Sequence, residues 1–376
     1  MFDIAPSKLL IALRVCADYS MVWLAKEKND GPIGMNYLDK IGIPHVYALV
    51  GAMLAGVDYL TVGAGIPDSF PIMIDAVLSG QLVKYPVPVS EIGRSTFHEM
   101  CFDPSGFFGE NLPEMKRPAF FPVIASNLLA QVLLRMKKLQ GKIDGFVIEG
   151  PTAGGHNAPP RDHEVDASGD PVYNERDVVN FRKIADYGLP FWIGGGIASP
   201  EKLRWAISEG AVGGQIGTAF AFCQESGMDP ELRRRVARLA YEGKLKIRTS
   251  SLASPTGFPF KTVEGLDGTL TDPHIQVERA CTRGALRTLF RKIDGSIGYR
   301  CPAEPVDIYV SKGGLHEDTA GRQCICNGLL ATAGLGNSDF PKIVTSGDDL
   351  PRLMRALMNG PDDDYTVDKV FEYLAA

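Results

Sequence analysis

The stretch PFWIGGGIASPEKLRWAISEGAVGGQIGT, residues 190–218, decides the fold class. Pro190 to Ile193 is a short apolar run, and Gly194, Gly195 and Gly196 let the chain turn sharply after it. Ser199 can then cap a helix, Pro200 suits its first position, Leu203, Ala206 and Ile207 form its apolar face, and Gly210 ends it. Val212 to Thr218 follows as a second strand. A strand, a crossover helix and another strand at this spacing predict a parallel pair.

Working outward, the same rhythm recurs at Pro32 to Leu38, Val57 to Gly63, Phe120 to Ala125 and Asp144 to Ile148, each run followed by a Gly- or Pro-marked turn and a helical stretch. Six strands over residues 32–218 average about 31 residues per unit, close to the length of a βα repeat. The chain is therefore expected to be an α/β protein built on a parallel sheet, open or closed. Further helices are predicted over Ser7 to Glu27, Glu175 to Tyr187 with Asn174 as cap, and Asp229 to Glu242. Pro159, Pro160, Gly169 and Pro171 mark an exposed loop after His156. Beyond Phe222 the rhythm stops and Pro/Gly-rich irregular sequence takes over.

The 376 residues are 45% apolar, enough for a substantial core. Lys plus Arg (39) against Asp plus Glu (45) gives a net charge of −6. No basic run marks a nucleic-acid footprint. The apolar segment Leu9 to Val15 is too short for a membrane span, carries Arg14 and lacks a signal-peptide cleavage pattern, so a cytoplasmic protein is expected. Seven cysteines in a chain of this length do not form a dense disulfide framework.

Gly-rich turns that lead into helices offer backbone N–H groups and the positive end of the helix dipole, a phosphate site that needs no lysine cluster. Gly194, Gly195 and Gly196 fit that description. So does the turn Gln215-Ile216-Gly217-Thr218 at the end of the next strand, and in α/β barrels the last two strand ends are the usual phosphate site. A third turn, Glu149-Gly-Pro-Thr-Ala-Gly-Gly155-His-Asn157, follows the strand ending at Ile148. His156 stands there after two glycines, with its ring expected in the mouth of the site as a general base near neutral pH. Glu149 either orients a sugar-like hydroxyl or closes the strand.

These residues resemble the FMN-dependent nitronate monooxygenases, formerly 2-nitropropane dioxygenases, which share a fold with flavin-type bacterial enoyl-ACP reductases. The resemblance lies in Gly-Pro-Ile-Gly-Met-Asn (31–36), Gly-Ala-Met-Leu-Ala-Gly-Val-Asp-Tyr (51–59), the 149–157 turn, Gly-Gly-Gly-Ile-Ala-Ser-Pro-Glu-Lys-Leu (194–203) and Gln-Ile-Gly-Thr-Ala-Phe-Ala-Phe (215–222). It implies a TIM-type (β/α)8 barrel, FMN as cofactor and His156 as the proton-abstracting base. It also implies that Asn36 meets the flavin while Gly195, Gly196, Gly217 and Thr218 hold its phosphate. The resulting cofactor set is Asn36, Glu149, Gly155, Gly194, Gly195, Gly196, Gln215, Gly217 and Thr218.

The family normally places two βα units before the strand that corresponds to Ile33 to Asn36, whereas here about thirty residues precede it and read as helix. The expectation is therefore a TIM-type barrel whose first two strands are missing, whose gap is filled by another segment, or which is open at that edge. Residues 1–225 are expected to form the FMN-binding barrel and residues 226–376 a mainly helical, irregular extension packed on it. That extension carries Cys281, Cys301, Cys324 and Cys326; four sulfurs can bind zinc or an iron–sulfur cluster, but Cys-x-Cys is not the usual Cys-x-x-Cys knuckle, and no metal is assigned.

The implied reaction is oxidation of an alkyl nitronate, or of a nitroalkane after His156 removes its α-proton, with electrons passing through flavin to oxygen. The alternatives are a reductase that takes hydride from NAD(P)H for an enoyl thioester or quinone, and a noncatalytic barrel acting as a binding subunit.

Overall fold

The computed structural model describes residues 1–91, 94–109, 111–337 and 339–376. Twelve strands are defined in it: β1 (Gly34–Leu38), β2 (Tyr59–Gly63), β3 (Val83–Glu91), β4 (Arg94–Phe102), β5 (Ala119–Ile124), β6 (Phe146–Glu149), β7 (Phe191–Gly194), β8 (Gly213–Gln215), β9 (Lys246–Ser250), β10 (Phe260–Glu264), β11 (Thr288–Arg291) and β12 (Ile297–Arg300). The chain divides into two compact units. The first comprises Met1–Ile124, Leu128–Phe146 and Gly284–Cys301; the second comprises Ala125–Asn127, Val147–Arg283 and Pro302–Ala376. Both units take residues from either side of position 225.

In the first unit β1, β2 and β5 run parallel in that order, with Asn36 opposite Thr61 and Thr61 opposite Phe121. Phe120 and Ile124 alternate inward on β5, as a half-buried strand requires. The helix Lys8–Lys26, capped by the Ser7 side chain, lies against the helix His45–Leu54. Gly51 permits that close approach, because a Cβ there would stand 2.3 Å from the Val15 carbonyl oxygen. A second sheet runs β12–β11–β3–β4, in which β3 and β4 pair antiparallel and bury Val83, Tyr85, Val87 and Val89 on one face.

In the second unit β7 and β8 pair parallel, with Trp192 opposite Gly213 and Gly194 opposite Gln215. The Gly150 N–H donates to the Gly194 carbonyl at 3.2 Å, so the turn after β6 closes beside the end of β7. The helix Pro200–Ser208 begins at Ser199, whose hydroxyl accepts from the Lys202 N–H, and Gly210 turns the chain with φ +95°. All six strands read from the βα rhythm are present, and the fold is of the α/β class with parallel strands leading into helices.

The helix expected over Glu175 to Tyr187 is interrupted. Asn174 and Asp177 close a capping box on a single turn, Glu175–Asp177, Val178 is extended, and Asn180 caps a separate helix, Phe181–Ala185. Two N-capping asparagines, Asn174 and Asn180, with the β-branched Val178 and Val179 between them, favour two short elements over one helix.

The core of the second unit is built by amphipathic stripes. Helix Pro230–Tyr241 buries Leu232, Val236, Ala237 and Ala240, and helix Leu350–Leu357 buries Leu350, Leu353, Met354 and Leu357 in the same cluster. Both spacings follow the helical period. Arg233, 3% exposed, is enclosed there and makes a forked ion pair with Asp364, one arm at 2.6 Å. No helix among the described residues is long and apolar enough to cross a membrane.

Candidate functional site

Three turns of the second unit and one later segment enclose a cavity of about 300 Å³. The turn after β6 contributes Glu149, Gly154 and Gly155, the turn after β7 contributes Gly194, Gly195 and Gly196, and the turn after β8 contributes Gln215, Gly217 and Thr218. Gly195 and Gly196 hold φ of +91° and +62°, conformations that side chains other than glycine rarely adopt. A Cβ on Gly195 would also stand 2.9 Å from the Ala153 nitrogen. The wall is therefore backbone by necessity.

The fourth side was not read from the sequence. Thr345, Ser346, Gly347 and Asp349 line the same cavity. Thr345 Oγ1 accepts from the Gly155 N–H at 2.7 Å, Thr218 Oγ1 accepts from the Gly347 N–H at 2.9 Å, and the Asp348 N–H donates to the Thr152 carbonyl at 3.1 Å. Gly154 makes room for this segment, since a Cβ on it would approach the Ser346 carbonyl carbon to 2.8 Å. The signal was available in the sequence: buried Ile343 and Val344, then Thr-Ser-Gly-Asp-Asp, then a helix with Pro351 in its first turn, repeat the apolar run, small polar turn and helix start seen at residues 190–200.

Two carboxyl groups stand in this backbone-lined cavity. Burial pushes Glu149 up to about 7, against a smaller lowering from a hydrogen bond with the Asn157 side chain. Burial also raises Asp349, against the opposing charges of Arg352 and Lys202. Glu149 thus changes charge near neutral pH, and in its protonated form it does not repel an anion.

His156 does not line the cavity. Its Nε2 lies 2.7 Å from Ser254 Oγ, and its ring meets Phe260 edge-on at 4.8 Å between centroids. Ser254 is fully buried, and its hydroxyl also lies 2.7 Å from Thr256 Oγ1. Burial lowers the imidazole to about 4, so it is neutral at physiological pH. The strand-like bridge between His156 and Phe260 brings the 254–260 segment against the histidine, a long-range pairing with no local signature. Asn36 belongs to the first unit, is exposed on β1 and accepts a hydrogen bond from Thr61 Oγ1 at 2.8 Å.

The four late cysteines are divided: Cys301 lies in the first unit and Cys281, Cys324 and Cys326 in the second. Among the described residues no group of three or more His, Cys, Asp or Glu side chains is placed to hold a metal ion. A second cavity, of about 700 Å³, shares Gly194, Gly195, Gly196 and Ile197 with the first and is otherwise lined mainly by apolar side chains.

Residues 119–252 match the nitronate monooxygenase family. The nitronate monooxygenase match begins with the first residue of β5 and runs past β9, so it takes in all three strand-end turns and His156 but neither Asn36 nor the 345–349 segment. The enoyl reductase domain of MlnA from the macrolactin biosynthesis cluster of Bacillus amyloliquefaciens is similar in fold, with a TM-score of 0.52 at 11% identity over 99% of this chain and 91% of that one. A FabK mutant from Thermotoga maritima aligns with a TM-score of 0.49 at 15% identity over 97% of this chain and 86% of that one. A nitroalkane oxidase from Streptomyces ansochromogenes aligns with a TM-score of 0.48 at 12% identity over 97% and 90%. No curated protein matches the chain.

Proposed function

We propose that the chain is a flavin-dependent oxidoreductase that binds FMN and oxidises alkyl nitronates, and more slowly nitroalkanes, at the expense of oxygen. The observation that carries this reading is the convergence of the Gly194–Gly196 and Gln215–Thr218 turns on one backbone-lined cavity inside the segment that matches the nitronate monooxygenases. A phosphate suits such a cradle, because closely approached backbone N–H groups bind it without a lysine cluster. The protonated Glu149 carboxyl and the Thr218 hydroxyl suit the hydroxyls of a ribityl chain. When bound, the flavin supplies a two-electron acceptor that oxygen can reoxidise.

The chain's own contribution to the chemistry rests on His156. With Nε2–H donated to Ser254 Oγ, the lone pair stands on Nδ1, and that nitrogen accepts the α-proton of a nitroalkane. In that tautomer Ser254 Oγ accepts from the ring, and it would accept likewise from the imidazolium formed. A base held at about 4 is nevertheless a weak proton acceptor at neutral pH, since acid–base catalysis is most efficient when the pKa lies near the working pH. Substrates that arrive already ionised, as nitronates, are therefore favoured over their neutral parents.

The test has two stages. The purified full-length chain is loaded with FMN, freed of excess and examined by visible absorption; a stoichiometric flavin spectrum is expected, and a colourless protein would end the reading. Oxygen uptake is then followed with ethyl nitronate and with nitroethane. Nitronate-dependent uptake supports oxidation, whereas rapid anaerobic bleaching by NADH without nitronate turnover would replace it with a reductase.

A further inference from the structure

The second cavity of the Val147–Arg283 segment has a chemical character of its own. Its walls include Ile148, Val179, Phe181, Ile193 and Trp205, with the Trp205 and Phe181 rings edge to face at 5.6 Å. Val178 (69% exposed) and Trp205 (42% exposed) leave apolar surface open to solvent around it. A volume of about 700 Å³ lies within the range of small-molecule sites.

Its polar groups are almost all committed elsewhere. Asp177 accepts from the N–H groups of Arg161 and Asn174, each at 2.9 Å, and the Tyr173 hydroxyl donates to the Ala158 carbonyl at 2.8 Å. The Asn174 amide donates to Asp162 while its oxygen accepts from the Arg176 N–H. Lys202 differs. Its side chain is exposed at the rim, 3.7 Å from where a Cβ on Gly196 would stand; its ammonium acts electrostatically on the Asp349 carboxyl of the first cavity but makes no hydrogen bond or ion pair of 4.0 Å or less among the described residues. It also occupies the first turn of the helix Pro200–Ser208, where a cation opposes the helix dipole and an anion beside it would relieve that opposition. Trp205 stands three residues on, on the same helix face.

We infer that this cavity is a second ligand site, distinct from the proposed phosphate cradle across the Gly194–Gly196 turn, for an amphipathic carboxylate. The apolar body lies against Val179, Phe181 and Trp205, and the single negative charge meets Lys202. One ammonium matches one carboxylate in charge, whereas a phosphate dianion would keep an unmatched charge against the apolar wall. The inference does not depend on flavin binding in the first cavity.

Decanoate and decanol, equal in chain length and different in charge, separate the two parts of the site. The full-length chain is titrated with each while tryptophan fluorescence is followed, with Trp205→Phe as the control that removes the local reporter. Decanoate is expected to give a saturable change that disappears in Trp205→Phe. Lys202→Gln should raise its Kd at least about tenfold, which is about 1.4 kcal/mol, while leaving decanol within about twofold. Lys202→Arg should restore decanoate, and Val178→Asp, a change at an exposed position, should weaken it by placing a second carboxylate at the wall. A wild-type chain that shows no saturable response to decanoate overturns the inference, as does equal decanoate affinity in Lys202→Gln. One-for-one displacement of decanoate by FMN would also overturn it, by making both cavities one site, whereas binding of decanoate to the FMN-loaded chain supports it.

Discussion

His156 Nε2 and Ser254 Oγ stand 2.7 Å apart, the serine fully buried and the imidazole held neutral by its burial. The pair resembles a hydrolytic dyad only in composition. Ser254 is enclosed and bonded onward to Thr256, so its oxygen orients the ring and is not available to attack a substrate.

The first prediction follows from this pairing. If Nδ1 of His156 takes the α-proton, His156→Ala should lower turnover of nitroethane by about 10²- to 10⁴-fold, the usual contribution of a positioned base. Turnover of ethyl nitronate, which needs no deprotonation, should fall far less. Steady-state oxygen uptake with both substrates at matched pH measures the ratio. Equal losses on the two would remove the base from the mechanism.

Glu149 gives a prediction about pH. Its carboxyl is raised from 4.5 to about 7 by burial, so the folded chain holds this proton where the unfolded chain has released it. The stabilisation is complete below about pH 4.5 and is lost as the pH rises through 7, amounting to about 3 kcal/mol at most. His156, lowered from 6.5 to about 4, acts in the opposite sense, adding stability that is present above 6.5 and lost as the pH falls to 4. Comparing Glu149→Gln with the wild type cancels the histidine contribution. The variant's thermal midpoint should rise relative to wild type between pH 5 and pH 8, and a difference that stays constant with pH would show that Glu149 ionises normally.

The ion pair between Arg233 and Asp364 supplies a prediction about stability alone. Arg233 is buried in the helical core of the second unit, where an unpaired guanidinium is costly. Asp364→Ala should destabilise by about 3 to 5 kcal/mol, and the apolar double change Arg233→Met with Asp364→Leu by much less, because it removes the charge together with its partner. Urea unfolding of the three proteins decides this. A single variant no worse than the double would mean that the pair is solvated in solution.

The parallel strands and their turns were legible because each is written locally: apolar run, glycine turn, capped helix. Residues 190–210 fold as those rules require, from the Ser199 cap to the positive φ at Gly210. The pair β3 and β4 escaped the same reading. Val83 to Glu91 alternates cleanly, but Pro86 and Pro88 argue against a strand with partners on both sides. The structure accommodates both prolines because β11 pairs with β3 only at Val89 and Ser90, beyond them. The Ser254 partner of His156 and the 345–349 wall of the cavity lie about 100 and 190 residues from the turn they complete. Contacts of that range are set by packing of the whole unit and leave no periodic trace.

Gly154 connects that distant wall to the site, and its substitution separates the cavity from the cradle glycines. A Cβ on it would meet the Ser346 carbonyl carbon at 2.8 Å, the Gly347 nitrogen at 2.9 Å and the Ser346 Cα at 3.1 Å, all backbone atoms that no rotamer change can move aside. Gly154→Ala must therefore push the 345–347 segment outward or distort the turn carrying Glu149, at a cost of about 1 to 3 kcal/mol for an overpacked contact. Outward movement would break the bonds from Gly155 to Thr345 and from Gly347 to Thr218, which hold two of the cavity walls together. FMN affinity, measured by quenching of flavin fluorescence, should fall by tenfold or more in Gly154→Ala, with Thr345→Ala showing a smaller loss in the same direction. Unchanged FMN affinity in a folded Gly154→Ala protein would mean that the 345–349 segment encloses the cavity without contributing to the ligand site.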